Sequence, residues 1–311
     1  MSTSDQAGST RPTFGCITMP RGTWAEIVAD WQQLESWGLD AAYLPDRPTN
    51  PWNADGPWLE AWTGLAGLAA STQRIKLGVL VTAIGGRNPA LLALEALTVD
   101  RIANGRVIVG LGAGGGPAEH ALLGEEDWAT SERFGRFEEF VGVVSGHLDG
   151  GTVEEKGQWY RSSGQFMAER PAAGSPSLLV AANGPKSLRI AAKYGAGWNS
   201  YGDPGGSTVD LVRKANTKLD ELCQEFGRDP RSLRRSLLLG VSADTDWASS
   251  TEFADVVRRN WDAGINDFLF YFPPSTSVVR RGSSGAEAAA VDGLVEEIAT
   301  QVVPKLREEL S

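Results

Sequence analysis

Three short stretches hold the residues best suited to chemistry. The first is Asn183-Gly184-Pro185-Lys186-Ser187, set between the apolar run 177–182 and a helical pattern in which Leu188, Ala191, Ala192 and Gly195 recur on one face. A helix that starts here presents unpaired backbone N–H groups and the positive end of its dipole, both suited to a phosphate. Gly184 permits close approach of the backbone, Pro185 fits the first helical position, and Lys186 adds charge. The same Gly-Pro pair serves an ordinary capped helix, so the five residues alone leave both readings open. The second stretch is "RVIVGLGAGGGPAEH", residues 106–120. Its glycines, Gly112 and Gly114 among them, partly match a dinucleotide-binding fingerprint. No acidic residue stands at the required distance on a following strand, and the run comes late in the chain. A backbone passing close to a flat ring is the better reading, with a flexible loop as the alternative. The third is "LPDRPTNPW", residues 44–52. Asp46 is placed to hydrogen-bond a ligand or transfer a proton, or else to cap its own loop. Trp52 either stacks on a ligand or fills the rim.

These residues need a scaffold, and the hydrophobic pattern supplies one. Strand-like and helix-like segments alternate throughout. Strands are expected at 14–19, 41–45, 75–81, 107–111, 177–182, 197–201, 237–242 and 267–272. Helices are expected at 24–37, 58–71, 89–103, 131–148, 185–195, 208–226, 252–263 and 288–309, with Ser131 capping the fourth. Residues 150–176 read as a less regular insertion, and 273–285 as a polar loop. Eight repeats in 311 residues fit an α/β fold of the (β/α)8 TIM-barrel type, with insertions in the loops at its C-terminal face. No linker divides the chain, so residues 13–311 are expected to form one domain behind a loose tail, 1–12. In such a barrel the ends of the strands carry the site, and all three stretches fall there.

Composition narrows the function. A net charge of −10 argues against nucleic acid and anionic membranes as partners. Two widely separated cysteines, Cys16 and Cys223, suggest neither a disulfide framework nor a metal site and fit a cytoplasmic protein. No run approaches the ~18 apolar residues that argue for a membrane helix. Among the eleven tryptophans, Trp52, Trp58 and Trp198, together with Phe134, are placed either to wall a flat cavity or to pack as core or rim.

Several segments together resemble the bacterial-luciferase-like monooxygenase superfamily: 74–114, "AEHALLG" (118–124), "ERFGRFEEF" (132–140), 178–202 and 219–241. "ANGRVIVGLGAG" and "GRDPRSLRRS" resemble the branch that uses coenzyme F420, a deazaflavin, rather than FMN. The resemblance implies a barrel that binds a flavin-type ring at its mouth, commonly as a homodimer, and acts on a small-molecule substrate. It places the cofactor phosphate at Asn183, Gly184, Lys186 and Ser187. It implies a non-proline cis peptide near Leu80–Val81, beside Thr82, propping the ring. It matches the acid of the second strand with Asp46 and a nearby tryptophan with Trp52. Related dehydrogenases carry His after that acid and Glu after the glycines of the fourth strand, where this chain has Arg47 and Gly115. His120 and Glu119 lie close enough in sequence to substitute, and the near-neutral titration of imidazole makes His120 a candidate catalytic group beside Asp46, with a helix-starting "AEH" packed under the loop as the alternative. A deazaflavin cofactor implies hydride transfer, whereas FMN would add oxygen chemistry; a cofactor-binding barrel without turnover is the third alternative. The acidic tail of F420 calls for a local basic patch, for which Arg47, Arg87, Lys186 and Arg189 are the expected members.

Overall fold

Each barrel strand sends alternate side chains to two surroundings, as its period of two requires. On β1 (Thr13–Thr18), Phe14 and Cys16 join the large outer core beneath the helices, while Ile17 joins the small core inside the barrel. On β2 (Ala41–Leu44), Ala42 and Leu44 point out and Ala41 and Tyr43 point in. The structure, a computed structural model, describes residues 11–50, 55–114, 116–166, 176–272 and 293–311.

The remaining strands are β3 (Lys76–Ala83), β4 (Val107–Gly112), β7 (Ser177–Ala181), β8 (Gly197–Ser200), β9 (Arg234–Leu238) and β10 (Asp267–Phe272). They close in the order β1-β10-β9-β8-β7-β4-β3-β2, with every pair parallel. Between them run α1 (Trp24–Ser36), α2 (Ala61–Ser71), α3 (Pro89–Ile102), α4 (Pro117–Leu122), α5 (Thr130–Leu148), α6 (Pro185–Tyr194), α7 (Thr208–Glu225) and α8 (Ser250–Trp261). This is the expected (β/α)8 barrel. A C-terminal helical segment ends at Val303–Glu309, and its apolar side joins the outer core through Ile298, Val303 and Leu306.

Several details differ from expectation. The 150–176 insertion contains an antiparallel hairpin, β5 (Val153–Lys156) with β6 (Arg161–Gly164). The ninth strand starts at Arg234, three residues before the apolar run. Its Arg235 is only 7% exposed, because the guanidinium is held by Asp220 at 2.6 Å and Asn216 at 3.1 Å on α7. A buried, partnered arginine is invisible to a hydropathy pattern. Helix α2 begins at Ala61, where the Glu60 carboxylate takes the N–H groups of Trp62 and Thr63. Helix α5 has Ala129, not Ser131, at its cap, and no side chain caps it. Pro12, assigned to the loose tail, is buried. The 273–285 loop lies outside the described residues, as does the start of the last expected helix.

One irregularity shapes the mouth. The β3–β4 register slips between Val79 and Thr82, and the Leu80–Val81 peptide is cis, where the resemblance placed it. Val79 faces the outer core, but Leu80 joins the inner core and Val81 packs against it, so two successive side chains enter the barrel. Strand β4 accommodates this with glycine. A Cβ at Gly110 would run into the Val79 carbonyl, and one at Gly112 would sit 2.6 Å from a Val81 methyl. These two glycines therefore make room for the bulge of β3, a correction to their reading as clearance for a ring.

Candidate active site

The C-terminal mouth has two differently built halves. In the β2–β4 half the polar side chains are charged. Asp46, just past β2, is tied by its Oδ1 to Arg87 at 2.8 Å, and its side chain is 9% exposed. Arg87 also bonds Glu60 at 2.8 Å and stands 3.6 Å from Glu95 on α3. Burial raises the Asp46 pKa, and the Arg87 charge and the Thr82 hydroxyl offset that only in part. The Asp46 Oδ2 is buried without a hydrogen-bond partner. Arg47 pairs with Glu119 of α4 at 2.5 Å. Next to Glu119, His120 is buried against Trp128, with ring centroids 5.1 Å apart. Its Nδ1 lies 3.5 Å from an Asp127 carboxylate oxygen, and neither ring nitrogen makes a hydrogen bond. Its Nε2 edge rests on the backbone of Gly85 and Gly114. Asp46, Glu119 and His120 line one cavity of about 840 Å³, walled also by Trp58, Trp62, Leu91 and Leu123.

In the β7–β9 half the polar groups, amides, hydroxyls and the Asp244 carboxylate, are bonded to one another and to backbone. The Asn183 amide donates to the Gly202 carbonyl at 3.0 Å, and its oxygen accepts from Ser200 at 2.8 Å. Ser242 reaches the Tyr201 carbonyl, and Asp244 accepts both the N–H and the hydroxyl of Thr208, at 2.6 Å each. Ser187 folds back on Gly184, accepting from its N–H at 3.3 Å and donating to its carbonyl at 3.0 Å. No side chain caps α6, so the N–H groups of Lys186 and Ser187 stay available at its positive end. Lys186 is exposed and makes no ion pair with a described residue.

Several sequence-based assignments change. Leu80 and Val81 reach the inner core, Leu80 buried and Val81 partly so. Thr82 is fully buried, accepts from the Trp62 indole at 2.9 Å and acts on Asp46, so it supports the acid rather than facing the mouth. Asn183 and Ser187 spend their side chains inside the protein; the backbone of the turn and Lys186 remain for an anion. Trp198 is fully buried in the outer core, with its indole donating to the Ala182 carbonyl at 2.6 Å, so it is not a substrate wall. Three members of the expected basic patch are already paired: Arg47 with Glu119, Arg87 with Asp46, Glu60 and Glu95, and Arg189 with Glu225. Gly114 lies at the mouth with φ +126°. Trp52 and Gly115 lie outside the described residues. Sequence reasoning missed Arg87 as the partner of Asp46 and Asp127 as the neighbour of His120, because nothing in either spacing announces a contact between loops.

Among the described residues no group of three or more His, Cys, Asp or Glu side chains is arranged to hold a metal, and no helix is long and apolar enough to cross a membrane.

Comparison with known proteins agrees with this architecture. The profile of the luciferase-like monooxygenase family matches residues 6–291. An F420-dependent glucose-6-phosphate dehydrogenase of Nocardia farcinica is 33% identical over 227 residues, covering 71% of this chain and 66% of that protein. Another of the same name, from Amycolatopsis mediterranei, is 32% identical over 285 residues, 90% of this chain and 79% of its own length. Among solved structures, an F420-dependent secondary alcohol dehydrogenase in complex with an F420-acetone adduct superposes with a TM-score of 0.75 at 18% identity, covering 94% of this chain and 99% of that one. The last likeness is one of fold.

Proposed function

The chain belongs to the luciferase-like monooxygenase family, and from that premise we propose that it is a coenzyme F420-dependent oxidoreductase moving hydride to or from a small organic substrate. The observation that carries this is the likeness, 33% and 32% identical over most of the chain, to two enzymes named as F420-dependent.

The residues present fit such a cofactor. The turn into α6 offers two unbonded N–H groups, a dipole end and the unpaired Lys186 to a phosphate. Across the mouth, the bulge at Leu80–Val81 lifts two apolar side chains into the barrel, a platform for one face of a ring. When bound, the deazaflavin would supply a carbon centre that takes or gives hydride in a two-electron step.

The chain's own residues do the rest. The β7–β9 network fixes the phosphate turn before any ligand arrives, which removes part of the ordering cost of binding. The apolar wall beside Asp46 restricts water near the reacting centre. Asp46 is the proton carrier: burial, only partly offset by Arg87, raises its affinity for a proton above that of an ordinary carboxylate. His120 lines the same cavity, with neither ring nitrogen committed to a protein hydrogen bond.

The test is an anaerobic reaction of the F420-loaded enzyme with a panel of alcohols, aldehydes and ketones. Loss or gain of oxidised F420 absorbance, with one substrate turned over per cofactor, is the expected result. Oxygen uptake that requires reduced FMN would instead make this a flavin monooxygenase.

A further inference from the structure

The cavity beside the mouth carries charge of one sign in surplus. Its lining holds two guanidinium groups, those of Arg47 and Arg87, and four carboxylates, those of Asp46, Glu60, Glu95 and Glu119. Both cations are already matched: Arg47 by Glu119 at 2.5 Å, and Arg87 by Asp46 and Glu60 at 2.8 Å each with Glu95 behind at 3.6 Å. With Asp46 ionised, four carboxylates face two guanidiniums; with it protonated, three still do, so negative charge is in excess either way. One of the four has a second, independent mark of a ligand site: the Asp46 side chain is 9% exposed, lines the cavity, and has an Oδ2 without a hydrogen-bond partner. The uncharged wall is largely apolar, with Trp58, Trp62, Leu91, Leu94 and Leu123 beside Thr63 and Thr98, and Leu91 and Leu123 are exposed.

From these groups we infer that the cavity selects against anionic substrates: it takes a molecule with an apolar body and no negative charge, favours a protonated amine, and rejects phosphate esters. The inference rests on the reading of this cavity as the substrate site of the proposed oxidoreductase, and it deepens that reading. A phosphate entering here would lose its water, meet uncompensated carboxylates, and find no unpaired cation among the described lining residues. To capture Arg47 or Arg87 it would have to displace a carboxylate already in contact. An ammonium group finds the reverse situation, with Glu95, 36% exposed and only 3.6 Å from Arg87, and the half-exposed Glu60 on the cavity wall as carboxylates to meet it. This separates the chain from relatives whose name specifies glucose 6-phosphate, an anion.

Three probes of matched shape test the inference: cyclohexylammonium, cyclohexanol and cyclohexyl phosphate. Binding to the full chain is followed by ligand-observed NMR and thermal shift, without and with F420. The expected order is ammonium, then alcohol, then phosphate, with ammonium ahead of phosphate by about tenfold or more. Glu95→Gln, which removes one surplus carboxylate, is expected to narrow that ratio severalfold. Equal or tighter binding of the phosphate would overturn the inference, as would turnover of glucose 6-phosphate by the F420-loaded enzyme. So would failure of the ammonium probe to bind at tens of millimolar. F420 affinity is measured on the same samples. Its absence would sink the cofactor reading while the probe order still decides the charge preference.

Discussion

The two ends of the barrel spend their charged side chains differently. At the N-terminal ends of β3 and β4, charges are used up on backbone. All five donors of Arg106 are engaged: four bonds go to the carbonyls of Ala103, Ile75, Ala69 and Thr72, and one to the Thr72 hydroxyl. Glu35 takes the N–H groups of Gln73, Arg74 and Ile75, and Asp100 takes that of Val107. At the C-terminal end, in the β2–β4 half, charges are spent chiefly on each other around a cavity, through the Asp46–Arg87–Glu60 and Arg47–Glu119 contacts. A charge bonded to backbone holds two loops in one arrangement. A charge bonded to another across a cavity sets a field and a proton affinity. The first arrangement serves stability; the second is the kind a ligand site uses, and the division is the one expected of this fold.

Substitutions at each end can break or sharpen that contrast. The largest effect is expected at Arg106. Arg106→Ala orphans four carbonyls at the closed end and should cost about 3–5 kcal/mol in chemical denaturation, with activity per folded molecule retained. Comparable loss of activity in the folded fraction would blur the division. Next is Asp46→Asn, which keeps the shape but removes the proposed proton carrier. It should lower turnover about 100-fold or more while moving stability by no more than about 1–2 kcal/mol. A mainly structural Asp46 would give the opposite split.

Asp100 gives a pH signature to the N-terminal end. Burial raises its pKa to about 6, from an ordinary 3.8. The folded state therefore keeps a proton that the unfolded chain gives up between those values. Stability from this group is full below pH 4, falls as pH rises through the window, and levels off above 6. The loss is up to about 3 kcal/mol. Asp100→Asn retains an oxygen for the Val107 N–H and should flatten that part of the stability curve, raising stability at pH 7. An unchanged slope would show that the folded carboxyl ionises normally. The smallest effect is expected at Lys186. Lys186→Ala leaves the two α6 N–H groups in place and should weaken F420 about three- to tenfold, more at low salt than at high. Loss of all binding would assign the phosphate to the lysine rather than to the backbone.

Much of this was legible in the sequence, for definable reasons. Strict alternation of strand and helix patterns specified the barrel, because inward and outward residues such as Ile17 and Cys16 on β1 are both apolar and the helices between are amphipathic. The Gly-Pro turn before α6 was readable because its conformational demands are local. What stayed hidden depends on contacts between distant segments. Arg87 lies 41 residues from Asp46 and Arg235 lies 15 from Asp220, and neither spacing carries a pattern. The side chains of Asn183 and Ser187 brace their turn, a use the sequence does not distinguish from holding a ligand, since both employ the same residue types. Trp198 looked like a wall because its strand reaches the mouth, but its position on β8 turns it outward to the helices. The glycines of β4 were seen, and their partner, the bulge of β3, explains them.

The most direct test of the account is a fluorescence titration of the purified protein with oxidised F420 and, separately, with FMN. Micromolar affinity for F420, weakened modestly in Lys186→Ala and unchanged in Arg106→Ala once corrected for folded fraction, is the result expected of a cofactor mouth set apart from a stabilising base. FMN bound in preference to F420 would contradict the cofactor assignment. Binding of neither would contradict the reading of the α6 turn as a phosphate site.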